Sequence, residues 1–374
     1  MSQKIKIVAD DNMPHVEQLF GDFADISKVN GREINASHVK TADALLVRSI
    51  TPVNQGLLDN SSVSFVGTAT IGVDHLDTQW LSQRQICWAN AAGCNASAVA
   101  QYVLSGVAFW LKKTGKKLCD IKVGIVGAGN VGSQLAGCLQ KLAVDYCLND
   151  PPLERTADRR HFVGMDEILK CDVITFHVPI TRHGDEATWH LVDKLFLAQI
   201  QPGQLLINAA RGEVIDNQAL YQYLQLDQTA DVILDVFENE PQINLALANR
   251  CLLATPHIAG HTLEGKSRGS FMVYQALCEH FGITQTVDDS ALFPPLNQFD
   301  SSLEFLDELE CLLQIYNIKK DSERLLSGPE DHIGEHFDGL RKNYASFFNP
   351  LPRRDFSGWR ASHTVPKSVQ ALMV

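Results

Sequence analysis

The sequence contains no C-x-x-C pair, although it carries nine cysteines. Their odd number and scattered positions (87, 94, 119, 138, 147, 171, 251, 278, 311) argue against a disulfide framework and a zinc knuckle. No metal centre is therefore expected. Long hydrophobic runs are also missing. The longest apolar helix candidate, Val99 to Leu111, is too short and too interrupted to span a bilayer, so no membrane partner is expected. The opening MSQKIKIVADDNMP lacks the apolar core of a signal peptide, and reduced thiols in the cytoplasm are the expectation. Positive charge is in deficit: 32 Lys and Arg face 44 Asp and Glu, a formal net charge of -12. That argues against a nucleic-acid partner, which needs a basic face. It also repels an anionic substrate, so local arginines and lysines must draw such a substrate in. Internal repeats and low-complexity tracts are absent as well. What remains is 374 residues at 45% apolar and 20% charged, enough for two or three domains with real cores.

The first quarter alternates strand and helix. Lys4–Ala9, Ala44–Val47 and Val63–Val66 read as strands, and Pro14–Phe20 as a helix. Such alternation implies a small parallel sheet. Ligands of parallel sheets gather beyond the carboxyl ends of the strands. Arg48, Ser49 and Thr70 fall on that rim. Ser49 and Thr70 also suit plain turn and N-cap duty.

A helix over Asn95–Lys113, expected to be amphipathic, leads to the strand Ile121–Val126. The strand runs into Gly127-Ala-Gly129-Asn130-Val131-Gly132, and a helix follows over Ser133–Leu142. A lone G-x-G-x-x-G is weak evidence, but strand before and helix after are the context it requires. Gly127 permits a tight turn, Gly129 lets main chain approach a pyrophosphate, and Gly132 lets helix pack on strand. The helix N-terminus stabilises the phosphates. A second strand, Val144–Leu148, ends at Asp150, placed to accept from ribose hydroxyls and to repel a 2′-phosphate. Arg155 is the nearest arginine after it. NAD is therefore the expected cofactor, rather than NADP. Strands at Val173–Phe176, Leu205–Asn208, Val232–Leu234 and Cys251–Ala254 complete a doubly wound sheet of six. A helix is expected from Asp193. His177, at one strand end, is either a satisfied histidine or part of a nicotinamide pocket.

The stretch Leu205 to Leu263 carries the chemistry. It reads LLINAARGEVIDNQAL, VILDVFENEP and LLATPHIAGHTLEGK, each an apolar run closed by a polar cluster. Arg211, Glu240 and His257 lie just past these strand ends. A guanidinium clamps a carboxylate through two parallel hydrogen bonds. An imidazole moves a proton near neutral pH, and a carboxylate orients it. Together they suit interconversion of a hydroxy acid and an oxo acid.

GAGNVG, NAARGEVIDNQAL, LDVFENEP and TPHIAG resemble the D-isomer-specific 2-hydroxyacid dehydrogenases over roughly residues 1 to 280. ADDNMP, VRSITPVN, VGTATIGVDHLD, HIAGHTLEGKSRG, FDGLRKNY and RRDFSG resemble the branch that acts on a phosphorylated four-carbon acid. The resemblance implies Arg211, Glu240 and His257 as catalytic residues, with His257 the proton donor and acceptor. It implies Ser49 and Thr70 as substrate contacts. Ala209, Asp235 and Gly260 join the glycine loop and Asp150 as cofactor contacts. That branch usually has tyrosine after Gly260; here His261 takes the place as a substrate contact. The implied architecture is α/β: a Rossmann NAD domain over 95–257, a discontinuous flavodoxin-like substrate domain over 1–94 and 258–283, and a small C-terminal α+β dimerisation domain over 284–374.

The C-terminal region begins after a Pro/Asp-containing connector, with an amphipathic helix expected over Ser301–Asn317. At roughly 75 residues it is marginal as a folding unit, and packing on a second copy would bury its apolar faces. Two classes of function fit the whole chain: a dehydrogenase of a phosphorylated acid, with phosphoglycerate dehydrogenase as sibling, or an NADH-sensing scaffold. The C-terminal region has no obvious βαββαβ regulatory pattern of the kind some siblings carry.

Overall fold

The computed structural model describes residues 4–227, 229–299, 307–344, 352–360, 362 and 364–373. It divides into two compact units: residues 1–95 with 262–295, and residues 96–261 with 296–374.

The first unit is built on a five-stranded parallel sheet. Its strands are β1 (Ile5–Asp10), β2 (Ala24–Val29), β3 (Ala44–Val47), β4 (Phe65–Thr68) and β5 (Cys87–Asn90), in the order β2-β1-β3-β4-β5. That is the flavodoxin-like order, whose switch point lies between β1 and β3. The central strands β3 and β4 are buried at every residue, which is why they read as apolar runs. β2 and β5 escaped the sequence reading because they are edge strands, mostly half-exposed or exposed, without a continuous apolar run. The helix Leu263–Phe281 returns the chain to this unit. The Thr262 hydroxyl accepts from Gly265 N at its start, and Gly282 at φ 66° ends it. Val273, Tyr274 and Leu277 pack it into the core with Leu46 and Phe65.

The second unit holds β6 (Lys122–Val126), β7 (Asp145–Asn149), β8 (Val173–Phe176), β9 (Leu205–Asn208), β10 (Asp231–Leu234) and β11 (Leu253–Ala254). Their order is β11-β10-β9-β8-β6-β7, all parallel. A single parallel bridge, Leu148 to Phe162, extends the β7 edge by one more position. With it counted, the order is that of the Rossmann fold, and the switch point lies between β6 and β8. The helix expected from Asp193 is one turn, Lys194–Leu197, capped by the Asp193 carboxylate.

The long helix Ala96–Thr114 departs from expectation. It is buried on nearly every face rather than amphipathic. The reason is the C-terminal region. Helix Glu308–Ile315 sends Cys311, Leu312 and Ile315 into the core that holds Val103, Leu104 and Val107. Residues 296–374 thus share a core with the second sheet, whereas 284–295 pack with the first unit. Of the helix expected over Ser301–Asn317, residues 301–306 lie outside the described residues. The remainder forms Glu308–Ile315, with a capping box from Asp307 and Glu310. No helix among the described residues is long and apolar enough to cross a membrane.

Candidate active site

Three turns at the carboxyl edge of the second sheet, after β9, β10 and β11, carry the reactive groups. After β9, the Asn208 side chain accepts from Ala210 N and donates to Arg211 O, closing the turn that presents Arg211. The Arg211 guanidinium donates back to Ala210 O at 2.8 Å. Gly212 presses this turn on the next one: a Cβ there would lie 2.0 Å from the Phe237 carbonyl. After β10, the segment Phe237–Pro241 sends two carboxylates to two histidines. Glu238 Oε1 meets His190 Nε2 at 2.7 Å, and Glu240 Oε2 meets His257 Nδ1 at 2.7 Å. His190 Nδ1 faces Asp216 at 3.8 Å, so that imidazole bridges two carboxylates through different nitrogens.

His257 follows β11 in the left-handed region, at φ 53°. For a non-glycine residue that costs on the order of 1 kcal/mol, so the surrounding bonds must fix it. Its N–H donates to Asp235 O at 2.7 Å. The Asp235 carboxylate, 1% exposed, then accepts from the Thr255 hydroxyl, Ile258 N and Ala259 N at 2.7, 2.8 and 2.8 Å. Burial pushes the Asp235 carboxyl above its ordinary range, against the pull of His257 and these donors. Tyr102 braces Thr255 at 2.7 Å. The Glu240 carboxyl is opposed by its burial, yet the charge and hydrogen bond of His257, the Phe237 N–H and the Arg341 charge hold it below the carboxylate range. Glu240 is 19% exposed and His257 36%. The ring is therefore anchored through Nδ1, with Nε2 left to exchange a proton.

The glycine loop fits a dinucleotide. Gly127 sits at φ 92°, and a Cβ would lie 2.7 Å from the His177 carbonyl. A Cβ on Gly132 would lie 2.0 Å from the Gly127 carbonyl oxygen. Gly129 faces open space, and it and Asn130 are exposed, with Val131 half-buried, at the start of the 12-residue helix Asn130–Lys141. Free main-chain N–H groups at a helix start suit a pyrophosphate. Asp150 accepts from Ala128 N at 2.8 Å and Leu153 N at 3.0 Å, tying β7 to the loop. Arg155 pairs instead with Glu186. Arg160, invisible to the local reading, donates to Ala128 O at 2.9 Å and to the Ser133 hydroxyl at 2.8 Å. His177 bonds Thr175 at 3.0 Å, and burial pushes its imidazole down to about 3, so it is neutral. Ala209 and Gly260 are half-buried at the turns after β9 and β11. His261 rests edge-on against Tyr344, ring centroids 5.6 Å apart.

Ser49 and Thr70 belong to the first unit, just past β3 and β4. Ser49 is exposed; the Thr70 hydroxyl meets Thr68 at 2.8 Å and Gly72 O at 3.1 Å. Arg48 reaches across the β1/β3 switch point to Asn12 O at 3.3 Å. Lys266 is held down to about 8 by burial and by the Arg48 charge. Arg268 lies over the Phe293 ring at 5.9 Å.

Residues 95–259 match the family model of the D-isomer specific 2-hydroxyacid dehydrogenase, NAD binding domain. Among solved structures, an NAD+-bound 3-phosphoglycerate dehydrogenase of Entamoeba histolytica aligns at TM-score 0.64 and 22% identity, over 75% of this chain and 96% of its own. An NAD-dependent formate dehydrogenase of Staphylococcus aureus, in complex with NAD, aligns at TM-score 0.60 and 21% identity, over 76% and 98%. These likenesses show the fold. With the relatives that follow, the family match defines the class as an NAD-binding dehydrogenase of the D-isomer-specific 2-hydroxyacid type. Erythronate-4-phosphate dehydrogenases of Shewanella loihica (44% identical, 99% of this chain, 98% of the relative) and Marinobacter nauticus (44%, 90% and 91%) are similar nearly end to end. The chain belongs to the erythronate-4-phosphate dehydrogenase family.

Proposed function

We propose that the protein oxidises 4-phospho-D-erythronate at C2 with NAD, giving 2-oxo-3-hydroxy-4-phosphobutanoate, NADH and a proton, in the cytoplasm as a step of pyridoxine biosynthesis. The contact of Glu240 with His257 at 2.7 Å carries this reading. It supplies an oriented imidazole on the unit that holds the dinucleotide loop. His257 takes the C2 hydroxyl proton at Nε2, and Glu240 steadies the imidazolium that results. Arg211 holds the substrate carboxylate, which fixes the orientation of C2. The cofactor, when bound, accepts the hydride. Gly127, Gly129, Asn130, Val131, Gly132 and Asp150 hold it, with Ala209, Asp235 and Gly260 as further contacts.

Ser49, Thr70 and His261 contact the substrate, and the first unit is the substrate domain. Arg48 and Lys266 hold the phosphate. Two like charges, one partly desolvated, attract an anion strongly in a chain of net charge -12. The C-terminal residues 284–374 join two copies as a homodimer. NADH absorbance on adding each candidate acid tests the activity. The phosphorylated four-carbon acid should give NADH well ahead of 3-phosphoglycerate and of unphosphorylated erythronate. Preference for 3-phosphoglycerate would assign the sibling reaction. NADH binding without turnover of any acid would assign a sensing scaffold.

A further inference from the structure

Arg353 lies in the C-terminal segment, 4% exposed. Its Nη1 donates to Ile258 O at 2.8 Å and to the Tyr344 hydroxyl at 3.2 Å. Its Nη2 donates to Ala259 O at 3.1 Å and to Ala98 O at 3.3 Å. The face of the guanidinium rests 3.6 Å from the centre of the Tyr316 ring. The two residues after His257 are therefore held from both sides. Their N–H groups go to the Asp235 carboxylate, and their carbonyls go to the Arg353 guanidinium.

We propose that Arg353 is a positioning residue for proton transfer, fixing the main chain beyond His257 so that the imidazole keeps its direction. This rests on the reading of His257 as the proton carrier. A planar fork of donors matches two successive carbonyls; an ammonium or an apolar side chain does not. Stability alone does not call for a buried cation, because a well-packed hydrophobe of similar volume serves as well or better. What the fork adds is direction. His257 stands in the left-handed region, and loosening the next two residues lets it relax toward ordinary backbone. A misplacement of about 1 Å costs on the order of 100-fold in rate. The C-terminal segment thereby becomes part of the catalytic apparatus, whatever it does in assembly.

The test compares Arg353→Lys, Arg353→Met and Ser105→Ala in the full-length enzyme. Ser105 also ties the C-terminal region to helix Ala96–Thr114, donating to Tyr316 O at 2.6 Å and accepting from Ile318 N at 3.5 Å rather than bonding the 258–259 main chain. All three variants should lower Tm. Arg353→Lys should lower kcat about 10-fold and Arg353→Met about 100-fold, with KM for NAD within about twofold of the parent. Amide hydrogen exchange should quicken in peptides covering 255–261 in both Arg353 variants. Ser105→Ala should keep the parent kcat and the parent exchange there. Should Arg353→Met fail to fold, Arg353→Lys decides. Parent kcat and parent exchange at 258–259 in Arg353→Lys would overturn the inference, as would an equal kcat loss in Ser105→Ala. A parent enzyme that turns over no acid sinks the proposed function and the proton role together. An active parent matched by Arg353→Lys sinks this inference alone.

Discussion

Glu240 and His257 meet at 2.7 Å through Oε2 and Nδ1, and that contact leaves Nε2 as the other ring nitrogen. Its neighbour in sequence space, Glu238, makes the same kind of contact with His190 at 2.7 Å. The two pairs join one short segment to two different histidines. The similar geometry makes the second pair an internal control for the first.

Glu240→Gln keeps the shape and removes the charge. We expect kcat/KM to fall about 100-fold, in line with loss of a group that orients and steadies a general base. Glu238→Gln should cost stability and leave kcat/KM within a few-fold. The pH behaviour follows from the Glu240 carboxyl lying below the usual range. A group depressed by folding contributes stability above its unfolded value and loses it as pH falls through the folded value. The parent should therefore lose more stability than Glu240→Gln in that acid window. Tm against pH for both proteins checks this. Parallel curves would remove Glu240 as an ionised partner.

Lys266 carries a cost that the proposed phosphate contact would explain. Its ammonium is held down to about 8, first by burial and then by Arg48. Folding thus resists its protonation, and below about pH 8 the native state bears a penalty. That penalty fades as pH rises from 8 toward the ordinary lysine value. Lys266→Met should raise stability at pH 7 by about 2 kcal/mol after allowance for partial exposure. It should also raise KM for the phosphorylated acid at least 10-fold, with little change for an unphosphorylated analogue. In the parent, KM for the phosphorylated acid should climb above about pH 8, where the charge is lost. Equal changes for both substrates would move the phosphate elsewhere.

The residues differ in how far their roles were legible from the chain. Short apolar runs flanked by turn residues give β3, β4, β6 and β9, because buried parallel strands cannot be polar. Glu240 and His257 were legible as a pair because both follow parallel strands, one ending at Leu234 and one at Ala254. The edge strands β2 and β5 lack that signal. Arg160 and Arg353 were not legible as parts of the site for a different reason. Each acts from far along the chain, and nothing local says where a long side chain will end. RRDF did hold a clue: two adjacent arginines before an aromatic residue are ordinary on a surface, yet Arg353 and Arg354 are both buried. The near-complete burial of helix Ala96–Thr114 is not legible locally, because its second apolar covering comes from residues about 200 positions later.

Removal of residues 296–374 should not release a working nucleotide-binding domain. It would strip Cys311, Leu312 and Ile315 from the core around Val103, Leu104 and Val107 and bare one face of a helix that has no polar side. The truncated chain should aggregate or expose dye-binding apolar surface, while the full chain sediments as a dimer. A truncated chain that stays monodisperse, or a full chain that sediments as a monomer at micromolar concentration, would each contradict the role given to this region.

On the proposed reading, cofactor choice turns on Asp150. Its carboxylate accepts from Ala128 N and Leu153 N, so it shapes the glycine loop and also presents negative charge beside it. Arg160 stands at the same loop through Ala128 O and the Ser133 hydroxyl, with its own charge engaged by Asp158. The carboxylate favours ribose hydroxyls and repels a 2′-phosphate, whereas the guanidinium alone would do the reverse. Asp150→Ser keeps a short acceptor for Leu153 N and removes the charge. NADH affinity should fall about 10-fold, a loss of about 1.4 kcal/mol. NADPH affinity should rise, because repulsion is gone and Arg160 remains. Asp150→Ser combined with Arg160→Ala should lose the NADPH gain and keep the NADH loss. Fluorescence titration with both cofactors reads all three proteins. If Asp150→Ser weakens NADH and NADPH by the same factor, the carboxylate serves only to shape the loop, and the preference for NAD arises elsewhere in the chain.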